Sequence, residues 1–302
     1  MTELLSRLAE RLSPRAVRVI ARCLAFVAFS LLRIRRRVVL NNLRRALGVS
    51  RSAARRLGYS TYCELGVTFL DFLRVGRLTA AGAEELLGRR AVQELEALRA
   101  QGRGVLVLSA HLGHWDLLAC AAGRMGWPVN VVTRRIKTSW IDAFWMGQRR
   151  ACGVTLVPAQ GSARAIRAAL ARNEIVALVL DQHQPDGVVV DFFGQPAATS
   201  SALARLARAT GAPVIGAFMV RDASGRYCVE LVGPIHYQGA ADRREELRLN
   251  TQTYTKTIEK VVRAYPTQWF WVHRRWKVRP PPTPDPLGSP ALRTNESVEP
   301  SV

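Results

Sequence analysis

The chain has 302 residues, 48% of them apolar, and a formal net charge of +21. That length buries a full core as one large domain with appendages or as two small ones, and the apolar share is ordinary for a globular protein. Nearly all the base is arginine, since lysine occurs only at Lys137, Lys256, Lys260 and Lys277. Such a surface suits nucleic acid, anionic lipid or an acidic protein partner. Cys23, Cys63, Cys120, Cys152 and Cys228 show no C-x-x-C spacing, which excludes a zinc ribbon and fits a reduced, cytoplasm-facing protein.

In chain order, Leu4, Leu5, Leu8 and Leu12 are spaced as a helix, and Ser13-Pro14 breaks it. The apolar run Cys23 to Leu32 comes next, ending in Arg33, Arg35, Arg36 and Arg37. A spanning helix needs about 20 apolar residues, so residues 1–37 read as membrane-associating helices, lying in the interface or forming a poor anchor. If the segment inserts, the arginines keep the downstream chain in the cytoplasm. A buried core helix is the alternative reading. Residues 38–75 carry two apolar stripes, Val39, Leu40, Leu43 and Leu47, then Leu57, Tyr62, Leu65, Phe69 and Phe72. A helix is expected over 84–100.

From there strands and helices alternate. Strands are expected at 104–109, 128–133, 154–157, 175–180, 189–193, 213–220 and 227–232. Helices are expected at 113–125, 139–150, 162–172, 199–210 and 242–264. Alternation of this kind means an α/β fold, a mostly parallel mixed sheet flanked by helices. Turn chemistry at Arg221 to Arg226 predicts an antiparallel hairpin at one end. The main domain spans 38–278, and the Pro- and Ser-rich stretch 279–302 reads as a disordered tail.

The polar residues that matter sit at strand ends, where open α/β sheets bind ligands. His111 follows the apolar run Val105–Leu108 after the small residues Ser109 and Ala110, and Asp116 lies five positions on, in the first turn of the next helix. That spacing suits a general base and the carboxylate that orients it. A satisfied core histidine and a metal site of His111, His114 and Asp116 are the alternatives. Asp181 and Gln182 end a second strand, and Arg134 and Arg135 end a third, the arginines suiting an anionic group. Val190 to Pro196, followed by Thr199 opening a helix, is a fourth candidate, and a packed aromatic corner with a helix cap is its alternative reading. The Trp- and Arg-rich stretch Pro266 to Lys277 suits a membrane interface, nucleic-acid stacking or a buried anchor.

Taken in order, these motifs resemble a known family. His111-Leu-Gly-His-Trp-Asp116, then Thr133-Arg134, Asp181-Gln182, Phe192-Phe193-Gly194 with Thr199, and Pro266-x-x-Trp269-x-Trp271-x-His273-Arg274-Arg275 look like the lipid A biosynthesis late acyltransferases. These are the lauroyl and myristoyl transferases within the glycerolipid acyltransferase superfamily. Arg37-x4-Asn42-Leu43 is similar to the family's stretch after its membrane anchor. The resemblance implies a glycerolipid acyltransferase-like fold and transfer of a fatty acyl chain from acyl carrier protein, or coenzyme A, onto a hydroxyl of a lipid A precursor. Another glycolipid or phospholipid acceptor, such as a phosphatidylinositol mannoside, is the runner-up. It further implies His111 as general base with Asp116 as its acid, and Gly113, His114, Arg134, Arg135, Asp181 and Gln182 at the substrate. At Asp116 the lipid A enzymes usually carry Glu, and at His114 the family commonly has Asn. No cofactor and no nucleic acid are expected; the partners are acyl carrier protein, a membrane glycolipid and an anionic membrane surface.

Overall fold

The computed structural model describes residue 6 and residues 8–277. The tail expected at 279–302 and the leucines at 4 and 5 lie outside the described residues. The N-terminal part is helical: α1 Pro14–Ala25, a π-helical turn Phe26–Leu31, α2 Arg36–Leu47, α3 Arg51–Phe72 and α4 Ala80–Arg99. Ser13 starts α1 by accepting the Ala16 amide, and Ser50 starts α3 by accepting that of Ala53, the usual role of a short hydroxylated side chain at a helix start. The inner side of α1 is core, with Val17 and Ala21 packed on Val67 and Leu70 of α3. Phe29 lies in the larger cluster with Val39, Leu43 and Tyr62. The outer side leaves Val19, Leu24, Phe26, Val27, Leu31, Leu32 and Ile34 exposed. Among the described residues, no helix is long and apolar enough to cross a membrane.

The remainder alternates: β1 Val105–Ser109, α5 Trp115–Arg124, β2 Val129–Thr133, α6 Ser139–Ala151, β3 Val154–Pro158, α7 Ala163–Ala171 and β4 Ile175–Val179. Then come β5 Val188–Phe192, β6 Gln195–Thr199, α8 Ala202–Thr210, β7 Val214–Arg221, β8 Tyr227–Ile235 and α9 Arg243–Ala264. Six strands form one sheet in the order β3-β2-β4-β1-β7-β8. All neighbours are parallel except β7 and β8, the hairpin that the Arg221–Arg226 turn predicted. The α/β class, with a mostly parallel sheet flanked by helices, is therefore the expected one. Two details differ. The 189–193 strand belongs to a separate two-stranded sheet with β6, a strand the sequence reading took for loop. Thr199 ends β6 instead of opening a helix; Ser201 precedes α8, and the Thr199 hydroxyl donates to the Ala197 carbonyl.

The two faces of the main sheet are filled differently. Even-numbered residues such as Leu106, Leu108, Val176, Leu178 and Phe218 pack against Ile166, Leu203, Ile258 and Val262 of α7, α8 and α9. Odd-numbered residues on the other face include Val107, Val129, Val131, Ile175 and Ala177, which line a cavity of about 890 Å³. Alternation along each strand sends the two sets to opposite faces. Helices α4, α5 and α6 roof the cavity, through Leu87, Ala91 and Leu95, then Leu118, Ala119 and Ala122, then Trp145 and Met146.

Candidate active site

Because β4 lies between β1 and β2, the three strand ends with polar residues are neighbours, as expected. His111, Gln182 and Arg134 all line the mouth of the cavity. The carboxylate that holds His111 is Asp181. Its Oδ1 lies 2.8 Å from His111 Nδ1, and its Oδ2 accepts the His111 backbone amide at 3.0 Å and the Trp269 indole N–H at 2.7 Å. Burial alone pushes the Asp181 carboxyl up; the charge of His111 and these hydrogen bonds outweigh it and hold the group below the usual carboxylate range. An acceptor-only partner fixes the Nδ1–H tautomer, an assignment made from the bonding pattern. Nε2 is left with its lone pair toward the cavity, where the Gln182 side-chain amide stands 3.4 Å away. Trp115 and Phe270 flank the imidazole, at 5.0 and 5.9 Å between ring centroids, and restrict its rotation.

Asp116 does something else. Its Oδ1 takes the Arg149 Nε–H at 2.7 Å and its Oδ2 the Trp145 indole at 2.9 Å. Arg149 in turn reaches the Thr133 hydroxyl at 3.0 Å. Asp116 thus ties α5 to α6 and to the end of β2 through a buried ion pair, with 2% and 9% side-chain exposure. The expected pairing of His111 with Asp116 is corrected on this point. The H-x4-D spacing lays Asp116 on the first turn of α5, which faces α6, and the carboxylate from the neighbouring strand takes the imidazole.

Other expected site residues also separate. Gly113 is a packing residue: its φ is +59°, and a Cβ there would lie 2.0 Å from the Met219 carbonyl oxygen. Its amide donates to the Gln268 carbonyl at 2.9 Å, and that of His114 to Met219 at 2.8 Å, so neither is free for a ligand. His114 is fully buried; its Nδ1 accepts the Leu117 amide at 3.2 Å and starts α5. Asparagine does the same work through its side-chain oxygen at a helix start. His114, His111 and Asp116 point to three different sets of partners. Arg134 faces the cavity and donates to the Gln184 side chain at 2.6 Å. Arg135 does not: its side chain is 94% exposed and meets Asp142 on α6.

The Pro266–Lys277 stretch is a strap across the site, and the membrane-interface reading of it is overturned. Trp269, Trp271 and Arg275 are buried. Phe270 donates its amide to the His111 carbonyl at 2.9 Å, and Leu112 bridges to Trp269 as a short antiparallel pair. Asn42 of α2 donates to the carbonyls of both Trp271 and His273 at 2.8 Å. Arg275 donates to the Ala198 carbonyl and to the Thr199 hydroxyl. The strap therefore locks the loop that carries His111. Two members of the site escaped the sequence reading, Trp145 and Arg149. Their signal was present, because an arginine on the inward stripe of α6 with Asp142, Trp145 and Met146 requires a buried partner.

A phosphatidylinositol mannoside acyltransferase of Mycobacterium tuberculosis is 23% identical over 190 residues, covering 61% of this chain and 58% of that protein. The Mycolicibacterium smegmatis protein of the same name is 23% identical over 180 residues, 58% of this chain and 57% of its own. Lipid A biosynthesis acyltransferase 2 of Shigella flexneri is 24% identical over 221 residues, 72% of this chain and 70% of its own. The chain thus spans less than two thirds of the length of the mycobacterial relatives. The family model for bacterial lipid A biosynthesis acyltransferase matches residues 5–278, and the chain belongs to that family.

Proposed function

We propose that the chain is an O-acyltransferase that moves a fatty acyl chain from a thioester of acyl carrier protein, or of coenzyme A, onto a hydroxyl of a lipid A precursor. The observation that carries this reading is the juxtaposition of a base and an apolar cavity. His111 Nε2 opens into a space walled by Val107, Val131, Ala177 and the α5 alanines, room for a hydrocarbon chain beside a group that accepts a proton. Nε2 would take the acceptor's hydroxyl proton as its oxygen attacks the thioester carbonyl. The C–O bond forms, the C–S bond breaks, and the imidazolium returns the proton to the departing thiolate. Asp181 steadies the imidazolium through the step. Gln182, beside Nε2, is placed to donate to the developing oxyanion.

A second acceptor, a phosphatidylinositol mannoside, is favoured by the names of the mycobacterial relatives and requires no change in this chemistry. Arg134 at the mouth would meet an anionic group of either lipid. The exposed face of Val19, Leu24, Phe26, Leu31 and Ile34, edged by arginines, supports docking on an anionic inner-membrane surface from the cytoplasmic side. The arginine-rich surface likewise suits acidic acyl carrier protein as donor.

The test is transfer of a labelled acyl chain from its carrier to lipid extract by wild type and His111→Ala. Loss of transfer by about a hundredfold or more in the variant is expected. Transfer at the wild-type rate would overturn the mechanism. Lipids from a deletion strain then separate the acceptors, since only the first reading gives lipid A short of one chain.

A further inference from the structure

We infer that the cavity is a slot of fixed depth for a single chain of roughly sixteen carbons, with Ala122 and Trp127 setting that depth. The inference rests on the acyl-transfer reading and adds the length of the chain. Three observations carry it. The strand register puts Val105, Ile175 and Val129 at one level, six residues below His111 and Asp181. Six strand residues span about 20 Å. An extended hydrocarbon advances about 1.25 Å per carbon, from a C–C bond of about 1.52 Å at the tetrahedral angle, so that depth takes about sixteen carbons.

The end of the slot is equally defined. Val129 and Ile175 are the first residues of β2 and β4, and Trp127 stands two residues before β2, at the same edge of the sheet. All three line the cavity, and Trp127 is only 8% exposed, so its indole closes the far end. Helix α5 runs from the mouth toward that end, starting with Trp115. At 1.5 Å per residue, Ala119 lies about 6 Å down and Ala122 about 10 Å down. Both are lining residues without a side chain beyond Cβ, and this leaves the passage open.

The experiment measures binding of saturated fatty acids of eight to twenty carbons by quenching of the lining tryptophans, then turnover of the matching acyl thioesters. In wild type, affinity is expected to rise about fourfold per methylene and to stop rising near sixteen carbons. Ala122→Leu blocks the passage below about 10 Å, so the break moves to about eight to ten carbons. Ala119→Leu, the second variant should the first not fold, moves it shorter still. Trp127→Leu moves it longer. A slope unbroken to twenty carbons, or a break unmoved in both alanine variants, overturns the assignment. So does a break moved by Ala91→Leu and not by Ala122→Leu, which would route the chain under α4 toward β8. Failure of the transfer reading is distinct: wild type would then turn over no acyl thioester of any length, whatever it binds.

Discussion

Asp181 and not Asp116 holds the His111 imidazole, through a 2.8 Å bond from Nδ1 to Oδ1. The two carboxylates lie on different elements and have different duties. Asp181 sits at the end of β4 beside β1, with three donors from His111 and Trp269. Asp116 sits on α5 and is saturated by Arg149 and Trp145. One carboxylate holds the His111 imidazole; the other clamps the roof of the cavity.

The clamp predicts a stability cost for Asp116. Asp116→Asn leaves the Arg149 guanidinium buried without its counter-charge, and breaking such a pair costs about 3–5 kcal/mol. Thermal unfolding should show the full loss. The double variant Asp116→Asn with Arg149→Met should recover much of it, because the stranded charge is gone. A single variant as stable as wild type would contradict the clamp.

Acid sensitivity follows from two histidines, His114 buried and His273 half-buried. Burial holds His114 at about 4 against an ordinary 6.5, and His273 likewise at about 4. With the folded-state value depressed, protons favour the unfolded chain. The contribution of His114 is whole above about pH 6.5 and is lost as pH falls toward 4, a loss of roughly 3 kcal/mol. His114→Asn keeps the helix start and removes the titration. Urea unfolding between pH 7 and pH 4.5 should fall less steeply in the variant, with the His273 share remaining. Equal slopes would rule out His114 as a source.

Asn42 links the N-terminal helices to the site. Its side-chain amide serves two strap carbonyls, so Asn42→Ala leaves both short of a donor, at a cost of about 1–3 kcal/mol. The strap also carries the Trp269 donor to Asp181 and the Phe270 donor to the His111 loop. Hydrogen exchange should therefore quicken at Phe270 and at His111 together. Exchange unchanged at both would mean that the strap is held by its buried tryptophans alone.

Much of this was readable in the chain. Apolar runs alternating with helix-spaced stripes predicted the α/β sheet, as the run after Gly104 predicted β1. The strand-end rule brought His111, Arg134 and Asp181-Gln182 to one crevice. Partner choice was not readable, because sequence nearness put Asp116 beside His111 while β4 pairing delivered Asp181 from 70 residues away. The strap misled for a related reason. Tryptophan and arginine side by side look interfacial, yet Arg275 is buried against the Ala198 carbonyl and the Phe192 ring, 5.3 Å from its centroid. Strand β6 was hidden by Pro196 and by alanines that carry no periodic signal.

The pairing itself is tested most directly by single-turnover acyl transfer with Asp181→Asn and Asp116→Asn side by side. An amide at 181 can keep its oxygen toward the His111 backbone and Trp269 indole N–H groups, and its NH₂ then faces Nδ1 and turns the imidazole to the other tautomer. Nε2 would carry the hydrogen and cease to be a base, a change that costs about 10⁴ in the serine-protease triad. The expected result is a rate loss of about 10²–10⁴ in Asp181→Asn with little loss of stability, against a smaller rate loss and the larger stability loss in Asp116→Asn. A near wild-type rate in Asp181→Asn, with transfer abolished in a folded Asp116→Asn, would contradict the account.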